Sequence, residues 1–453
     1  MSRHRVAVVT SDVLSARMAG PAIRAWQMAR GIAREHDVEL LSTRRCDLSS
    51  TSFRCAHSPR EDMQRLGDRV DVVVLQGDVL RYAPALVRSP VAMVVDLYDP
   101  FHLEVLEQTR GFNPLDRRAA VSTATDVINE QVRRGDLFLC ASDRQRDFWL
   151  GQLAAIGRVN EHTYDQSPNL QALLRVVPFG VEDEPPRHLA PALRGVVDGI
   201  SADDEIVLWG GGIYNWFDPL SLIHAVDRLR HRRPKLRLFF AGVRHPNPEV
   251  PEMEMNARAQ ALAEALGLTG SHVFFHEWID YDARQSYLLE ADVAVSTHFD
   301  HIETAFSFRT RVLDYLWAGL PTVTTEGDVL ADAIAERGAG ITVPAENVDA
   351  LEAALERILG DRFARDAMGA SARELGAYYR WSTVLQPLLD FCAQPARSPD
   401  LLDGDTAKAI ARSRTLRPNQ FVESARRAAD LGRRGEWSEL GAKVAGRIRR
   451  ARS

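Results

Sequence analysis

Short apolar runs alternate with helical stripes along most of the chain. Arg5–Thr10 (RVAVVT) is apolar at four successive positions and predicts a buried strand. In the next segment Ile23, Trp26, Ala29 and Ile32 recur at three-residue spacing, which predicts a helix over Pro21–His36. Further strands are predicted at Val38–Leu41, Val70–Leu75, Val91–Asp96, Asp136–Cys140 and Leu174–Val177. Strands this apolar are buried on both faces, as in a parallel sheet covered by helices. After Val176–Pro186 (VVPFGVEDEPP) the rhythm restarts, with strands at Glu205–Trp209, Lys235–Ala241, Val273–His276, Val293–Ser296, Thr322–Thr325 and Ile341–Val343. Helical stripes at Pro219–His231, Glu254–Leu266 and Arg311–Ala318 separate them. The pattern predicts an α/β protein of two successive doubly wound parallel-sheet units. The proline-rich, acidic stretch Pro178–Pro191 reads as their connector.

In open α/β sheets ligands collect beyond the carboxyl ends of the strands, so the residues after each strand are the candidates. Gly20-Pro21 opens the first helix, and the unpaired amides of Ala22 to Arg24 would attract an anion or a polar acceptor. After Val91–Asp96 come Asp96, Asp99 and His102, parts for general acid/base work. The Asp99-Pro100 step also fits a plain turn. After Glu205–Trp209 comes Gly210-Gly211-Gly212-Ile213-Tyr214-Asn215, where glycines let a phosphate approach the backbone and the following helix offers its positive end. Asn215 stands where a dinucleotide fingerprint has its third glycine, so that fingerprint fits poorly. Arg244 and His245 follow Lys235–Ala241, in reach of an anion. After Val293–Ser296 come His301, Glu303, Ser307, Phe308, Arg309, Arg311 and Asp314. Asp314 either takes the hydroxyls of a ribose or pairs with Arg311.

Length and composition narrow the class. A chain of 453 residues exceeds one ordinary core. With 45% hydrophobic and 26% charged residues it is globular, and a net charge of −6 argues against a nucleic-acid binder. Cys46, Cys55, Cys140 and Cys392 form no C-x-x-C or zinc spacing and read as reduced thiols of a cytoplasmic protein. The start, MSRHRVAVVTSDV, does not read as a signal peptide, and no apolar run is long enough to span a membrane. Residues 396–453 hold 14 Lys/Arg against 7 Asp/Glu. This basic tail is either a solvated helical or flexible appendage or an arm for an anionic lipid surface or acidic partner. The string Asp403-Gly404-Asp405 lies in it and reads as a turn, so no metal is expected.

Two Rossmann-like halves, the hinge Val176-Val177-Pro178-Phe179-Gly180-Val181 and the string Leu313-Asp314-Tyr315-Leu316-Trp317-Ala318-Gly319-Leu320-Pro321 resemble the retaining GT-B glycosyltransferases of family 4, the group 1 transferases. The resemblance spans roughly residues 5–395 and implies two domains facing a cleft. Residues 1–185 would form the acceptor domain and 186–375 the nucleotide-sugar domain. Residues 376–395 would return to the first domain, with 396–453 as the C-terminal extension. It implies a hexosyltransferase-like activity, with a nucleotide diphosphate sugar as co-substrate and no cofactor or metal. The acceptor would be a saccharide, a small molecule or a lipid-linked sugar at the inner membrane face. Asp314 stands where the family has its ribose-binding glutamate. The family's preceding glutamate position is Phe306, and Glu303 is the nearby substitute. The glycine loop with Asn215 lacks the family's cations, so Arg244, Arg309 or Arg311 would carry that charge. Ser307 and Phe308 would offer backbone amides, and Gly20, Pro21, Arg24 and Asp96 would face the acceptor. The role of the family's histidine passes to Asp99 or His102. Two rivals share the fold: a sugar-nucleotide epimerase and an inactive binding scaffold.

Overall fold

The computed structural model describes residues 3–243, 245–247, 250 and 252–412. They form two α/β units, each a parallel sheet covered by helices. The first sheet holds β1 (Arg5–Thr10), β2 (Asp37–Ser42), β3 (Arg54–His57), β4 (Val72–Leu75), β5 (Ala92–Asp96), β6 (Leu137–Cys140) and β7 (Leu174–Val176) in the order β3-β2-β1-β4-β5-β6-β7. The second holds β8 (Glu205–Trp209), β9 (Leu236–Phe240), β10 (Val273–Phe275), β11 (Val293–Ser296), β12 (Thr322–Thr325) and β13 (Gly340–Val343) in the order β10-β9-β8-β11-β12-β13. All neighbouring strands pair in parallel. The predicted strands coincide with these within two residues, and β3 is additional.

The order reverses around β1 in one sheet and around β8 in the other. Chains leaving β1 and β4, or β8 and β11, therefore diverge and open a crevice at each sheet's carboxyl edge. Alternate residues of β1 feed two cores. Val6 and Val8 pack with the helix Gly20–Ile32, and Ala7 and Val9 with the opposite layer. The first core continues through linker residues Val177, Phe179 and Val181 to Ile206 and Leu208 of the second sheet. Burying each such side chain contributes roughly 1.5–3 kcal/mol, so the two units share part of their stability.

The chain crosses between the units twice, side by side. Val181 donates its N–H to Tyr379 (2.7 Å), and Trp381 donates to Val181 (3.0 Å). The Trp381 ring packs on Phe179 at 5.0 Å between centroids, and a Cβ on Gly180 would sit 2.5 Å from it. The short helices Trp381–Val384 and Gln386–Ala393 then lie against the first-unit helix Gly20–Ile32.

Part of the predicted tail is docked. Arg158 grips Asp400 through two bonds (2.6 and 3.2 Å), both side chains fully buried. Arg397 and the Ser398 N–H bind Asp136 (2.8 and 3.0 Å), and Ile410 joins the first unit's core. Asp403 accepts from the Thr406 N–H (2.8 Å) and starts the helix Gly404–Arg412, so the predicted turn at Asp403-Gly404-Asp405 is a helix start. Residues 413–453, with the paired arginines of the tail, lie outside the described residues. Among the described residues no helix is long and apolar enough to cross a membrane.

Candidate active site in the cleft

Two cavities occupy the space between the crevices. The larger, about 380 Å³, is lined by residues after β1, β4 and β5 and by second-unit residues including Glu303, Arg309 and Arg311. The smaller, about 150 Å³, is lined by Gly210–Gly212, Tyr281, Arg284 and Asp314. They share Ala19, Gly20, Tyr214, Thr310 and Arg311, so Arg311 stands where they meet.

Arg311 is held there by its helix. Thr310–Ala318 buries Val312, Leu313, Tyr315 and Leu316 and stops at Gly319, whose φ of +66° suits glycine. No side chain caps its first turn, whose Val312 N–H donates to Arg309 O (2.9 Å), and Thr310 and Arg311 at its start line both cavities. The guanidinium lies 4.0 Å over the Phe217 ring, donates Nη2–H to Gly212 O (2.6 Å), and keeps a buried Nη1 without partner among the described residues. Burial lowers its pKa to about 10, so it stays charged at neutral pH. The glycine run permits this approach. Gly211 has φ +102°, and a Cβ on Gly212 would sit 2.8 Å from the Tyr214 ring.

Two expectations for this loop are corrected. The helix Pro219–Leu229 is capped by its own Asp218, which accepts from the Ser221 N–H (3.0 Å), and it reaches neither cavity. The uncapped helix start at the cleft belongs to Thr310–Ala318 instead. Asn215 accepts from the Met255 N–H (3.1 Å), at the start of the helix Glu254–Ala265, and lines neither cavity.

Asp314 lies half-buried on the smaller cavity. Its Oδ1 accepts from Arg284 Nε (3.0 Å), so its partner is Arg284 and not Arg311. Arg284 lies 3.6 Å over Tyr281 and 4.9 Å from Trp317. Burial works against its charge, but Asp314 and Tyr281 outweigh that and raise its pKa. The sequence reading missed Arg284. Its available signal was the Tyr281-x-x-Arg284 spacing, one helical turn, just beyond a strand end.

On the larger cavity, Glu303 and Arg309 hold each other through two bonds (2.9 and 2.7 Å), both buried. Ser307 and Phe308 line it beside them, with Ser307 Oγ donating to Thr304 O (3.1 Å). From the first unit come Gly20, Pro21, Asp12, Asp99 and Glu104. Burial, then the charges of Glu303 and Asp96, pushes Asp99 up to about 7. Burial, then Asp99 and Glu303, drives Glu104 well above its usual range. Burial also raises Asp12, whose Oδ1 accepts from the Val13 N–H (2.8 Å) and Asn247 Nδ2 (3.1 Å). From the second unit His245 lines the same cavity with its pKa lowered by burial, and its Nδ1 accepts from the Asn247 N–H (3.0 Å). Glu104 and Asp12 were not foreseen from sequence.

Three predicted positions turn away. Arg24 is fully buried, bonded twice to Asp96 (2.7 and 2.9 Å) and to the carbonyls of Val177 and Pro178 (2.8 Å each). It fastens the linker and does not line the cavity, while Asp96 lines it with its carboxylate already engaged. His102 packs 5.6 Å from the rings of both Phe148 and Trp149, and burial lowers its pKa to about 4. It is neutral and absent from the cavity wall. Phe306 packs on Phe148 (4.6 Å), and Glu303 is the acid that reaches the cavity. His301 accepts from the Thr304 N–H (3.4 Å) as a helix cap. Arg244 lies outside the described residues.

Comparison with solved structures places the architecture. The chain is similar to sucrose-phosphate synthase from Thermosynechococcus elongatus, with TM-score 0.64 and 16% identity over 86% of this chain and 99% of that one. It is similar to WaaG, a glycosyltransferase involved in lipopolysaccharide biosynthesis, with TM-score 0.62 and 16% identity over 86% and 100%. It is also similar to Anabaena HepE in complex with UDP-glucose, with TM-score 0.58 and 14% identity over 86% and 100%. No curated protein sequence matches it. The fold is that of the GT-B glycosyltransferases, and within it residues 197–375, most of the second unit, match the family model of group 1 glycosyl transferases.

Proposed function

We propose that the protein transfers a hexosyl group from a nucleotide diphosphate sugar to an acceptor hydroxyl, with retained configuration and without a metal. The observation that carries this reading is Arg311, with its free Nη1, set between Gly211-Gly212 and the uncapped start of Thr310–Ala318 where the cavities meet. A helix start without a side-chain cap, together with a fixed guanidinium, suits a diphosphate. The nucleoside then fills the smaller cavity, with its ribose hydroxyls on the Asp314 carboxylate that Arg284 orients. The sugar projects into the larger cavity toward Glu303 and Arg309, and the acceptor lies against Gly20 and Asp99.

Charge develops on the leaving diphosphate, so donors already aimed there lower the barrier. Each is worth about 3 kcal/mol, roughly a hundredfold in rate. The acceptor oxygen bonds to the sugar's C1 on the face from which the diphosphate leaves, the C1–O–phosphate bond breaks, and the leaving phosphate oxygen takes the acceptor proton. Retention then needs neither a separate base nor a nucleophile from the protein. Closure of the units over the cleft excludes water and suppresses hydrolysis. The setting is cytoplasmic or peripheral on the inner membrane face, in polysaccharide, glycolipid or glycoconjugate synthesis.

A panel of nucleotide sugars incubated with mixed saccharide acceptors, with products read by NMR, tests this. A glycosylated product with the donor's anomeric configuration is expected. An epimerised donor, or binding without turnover of any donor, would replace the reading.

A further inference from the structure

The acids around the larger cavity sort by partner. Asp96 is engaged by Arg24 and Glu303 by Arg309, each through two bonds. Arg311, carried by the second unit, donates to Gly212 where the two cavities meet. Asp99 and Glu104 remain on the first unit's wall, hydrogen-bonded to no group among the described residues, with the charge of Arg309, itself held by Glu303, bearing on both. Asp12 is hydrogen-bonded by the Val13 N–H and Asn247 Nδ2, with His245 and Arg44 as its charged neighbours. Gln76 points the same way independently. It is 6% exposed and lines this cavity. It donates its amide hydrogens to Thr10 Oγ1 (3.2 Å) and Pro21 O (2.6 Å), and its buried Oε1 has no donor among the described residues. Each of these four groups offers an acceptor.

A buried acceptor left without a donor costs about 1–3 kcal/mol, and neighbouring carboxylates repel. A ligand bearing N–H donors and positive charge relieves both; an anionic ligand aggravates both. A metal ion fits less well, since among the described residues no three His, Cys, Asp or Glu side chains are grouped to hold one. Resting on the reading of this cavity as the acceptor site, we infer that the acceptor is a cationic sugar or aminocyclitol, its ammonium group held by Glu104 and Asp99. Glu104 is the specificity-determining residue, and Gln76 receives a neighbouring hydroxyl or N–H.

Calorimetric titration of the full chain with glucosamine, glucose and glucuronate, and with streptamine against myo-inositol, tests the inference directly. The amine of each pair binds at least about tenfold tighter than its neutral twin, the scale of one charge-assisted hydrogen bond, and glucuronate binds weakest. Glu104→Gln removes the preference of each amine over its neutral twin. Equal affinities, a preference for glucuronate, or no saturable amine binding by the wild-type chain overturns the inference. Persistence of the preference in Glu104→Gln overturns the role of that residue. A parallel titration with UDP, GDP and ADP keeps the two readings apart. Nucleotide binding without amine preference sinks only the acceptor assignment, and amine preference without nucleotide binding sinks the transferase reading.

Discussion

The two walls of the cleft arise from the same construction and carry opposite chemistry. In the second unit the crevice beside β8 presents donors: Gly211-Gly212, the start of Thr310–Ala318 without a side-chain cap, and Arg311 with an Nη1 that has no partner among the described residues. In the first unit the crevice beside β1 presents acceptors: Asp12, Gln76, Asp99 and Glu104. The first unit also has a cation, on the helix after β1, but Arg24 is buried against Asp96 and the linker and offers no charge to the cleft. A parallel sheet supplies the crevice in both cases. What differs is whether an arginine beside the crevice lines it, as Arg311 does, or is spent on packing, as Arg24 is. One wall is thereby suited to a leaving anion and the other to a donor-rich or cationic acceptor.

The largest expected effect comes from cutting the pair that braces the donor wall. Arg309→Met strands a buried Glu303 and lowers stability by about 3–5 kcal/mol, read from the urea midpoint at constant m. Arg311→Met removes the cation at the junction and leaves the brace intact. Nucleoside diphosphate affinity then falls by about 1.5–3 kcal/mol, roughly ten- to a hundredfold by calorimetry, while nucleoside affinity holds. Asp314→Asn keeps the shape of the smaller cavity and weakens the ribose contact and the Arg284 pair. Its effect, about tenfold, appears for nucleoside and diphosphate alike, which separates it from Arg311.

The smallest effect concerns the acceptor wall and has a definite sign. The folded chain holds the Asp99 proton more tightly than the unfolded chain, because its pKa is raised to about 7. Its stabilising contribution is full below the ordinary carboxylate range and is lost as pH rises through about 7. Asp99→Asn should flatten the fall in stability between about pH 4 and 7, measured as urea midpoints across that range. An unchanged slope would remove Asp99 from the set of interacting acids.

The fold was largely legible because buried parallel strands read as unbroken apolar runs. β3, with the sequence RCAH, escaped because it is a half-exposed edge strand paired only to β2. The 21-residue helix Pro114–Arg134 escaped because it buries only seven of its residues and shows a weak stripe. At the site, glycines and residues after strands were readable because backbone topology alone delivers them to the cleft. Side-chain direction was not readable. His102 and Asn215 sit in the right loops and turn into packing or capping. Glu104 and Arg284 look like ordinary helical surface charges until the opposite unit or a stacked ring encloses them.

The most direct test of the central claim is a crystal structure of the chain grown with a nucleoside diphosphate chosen from the UDP, GDP and ADP titrations. The account predicts the ribose on Asp314 and the phosphates at the meeting point of the cavities, bonded to Arg311 Nη1 and to the amides of Thr310–Ala318. A nucleotide seated on the first unit's wall, or phosphates remote from Arg311, would contradict it.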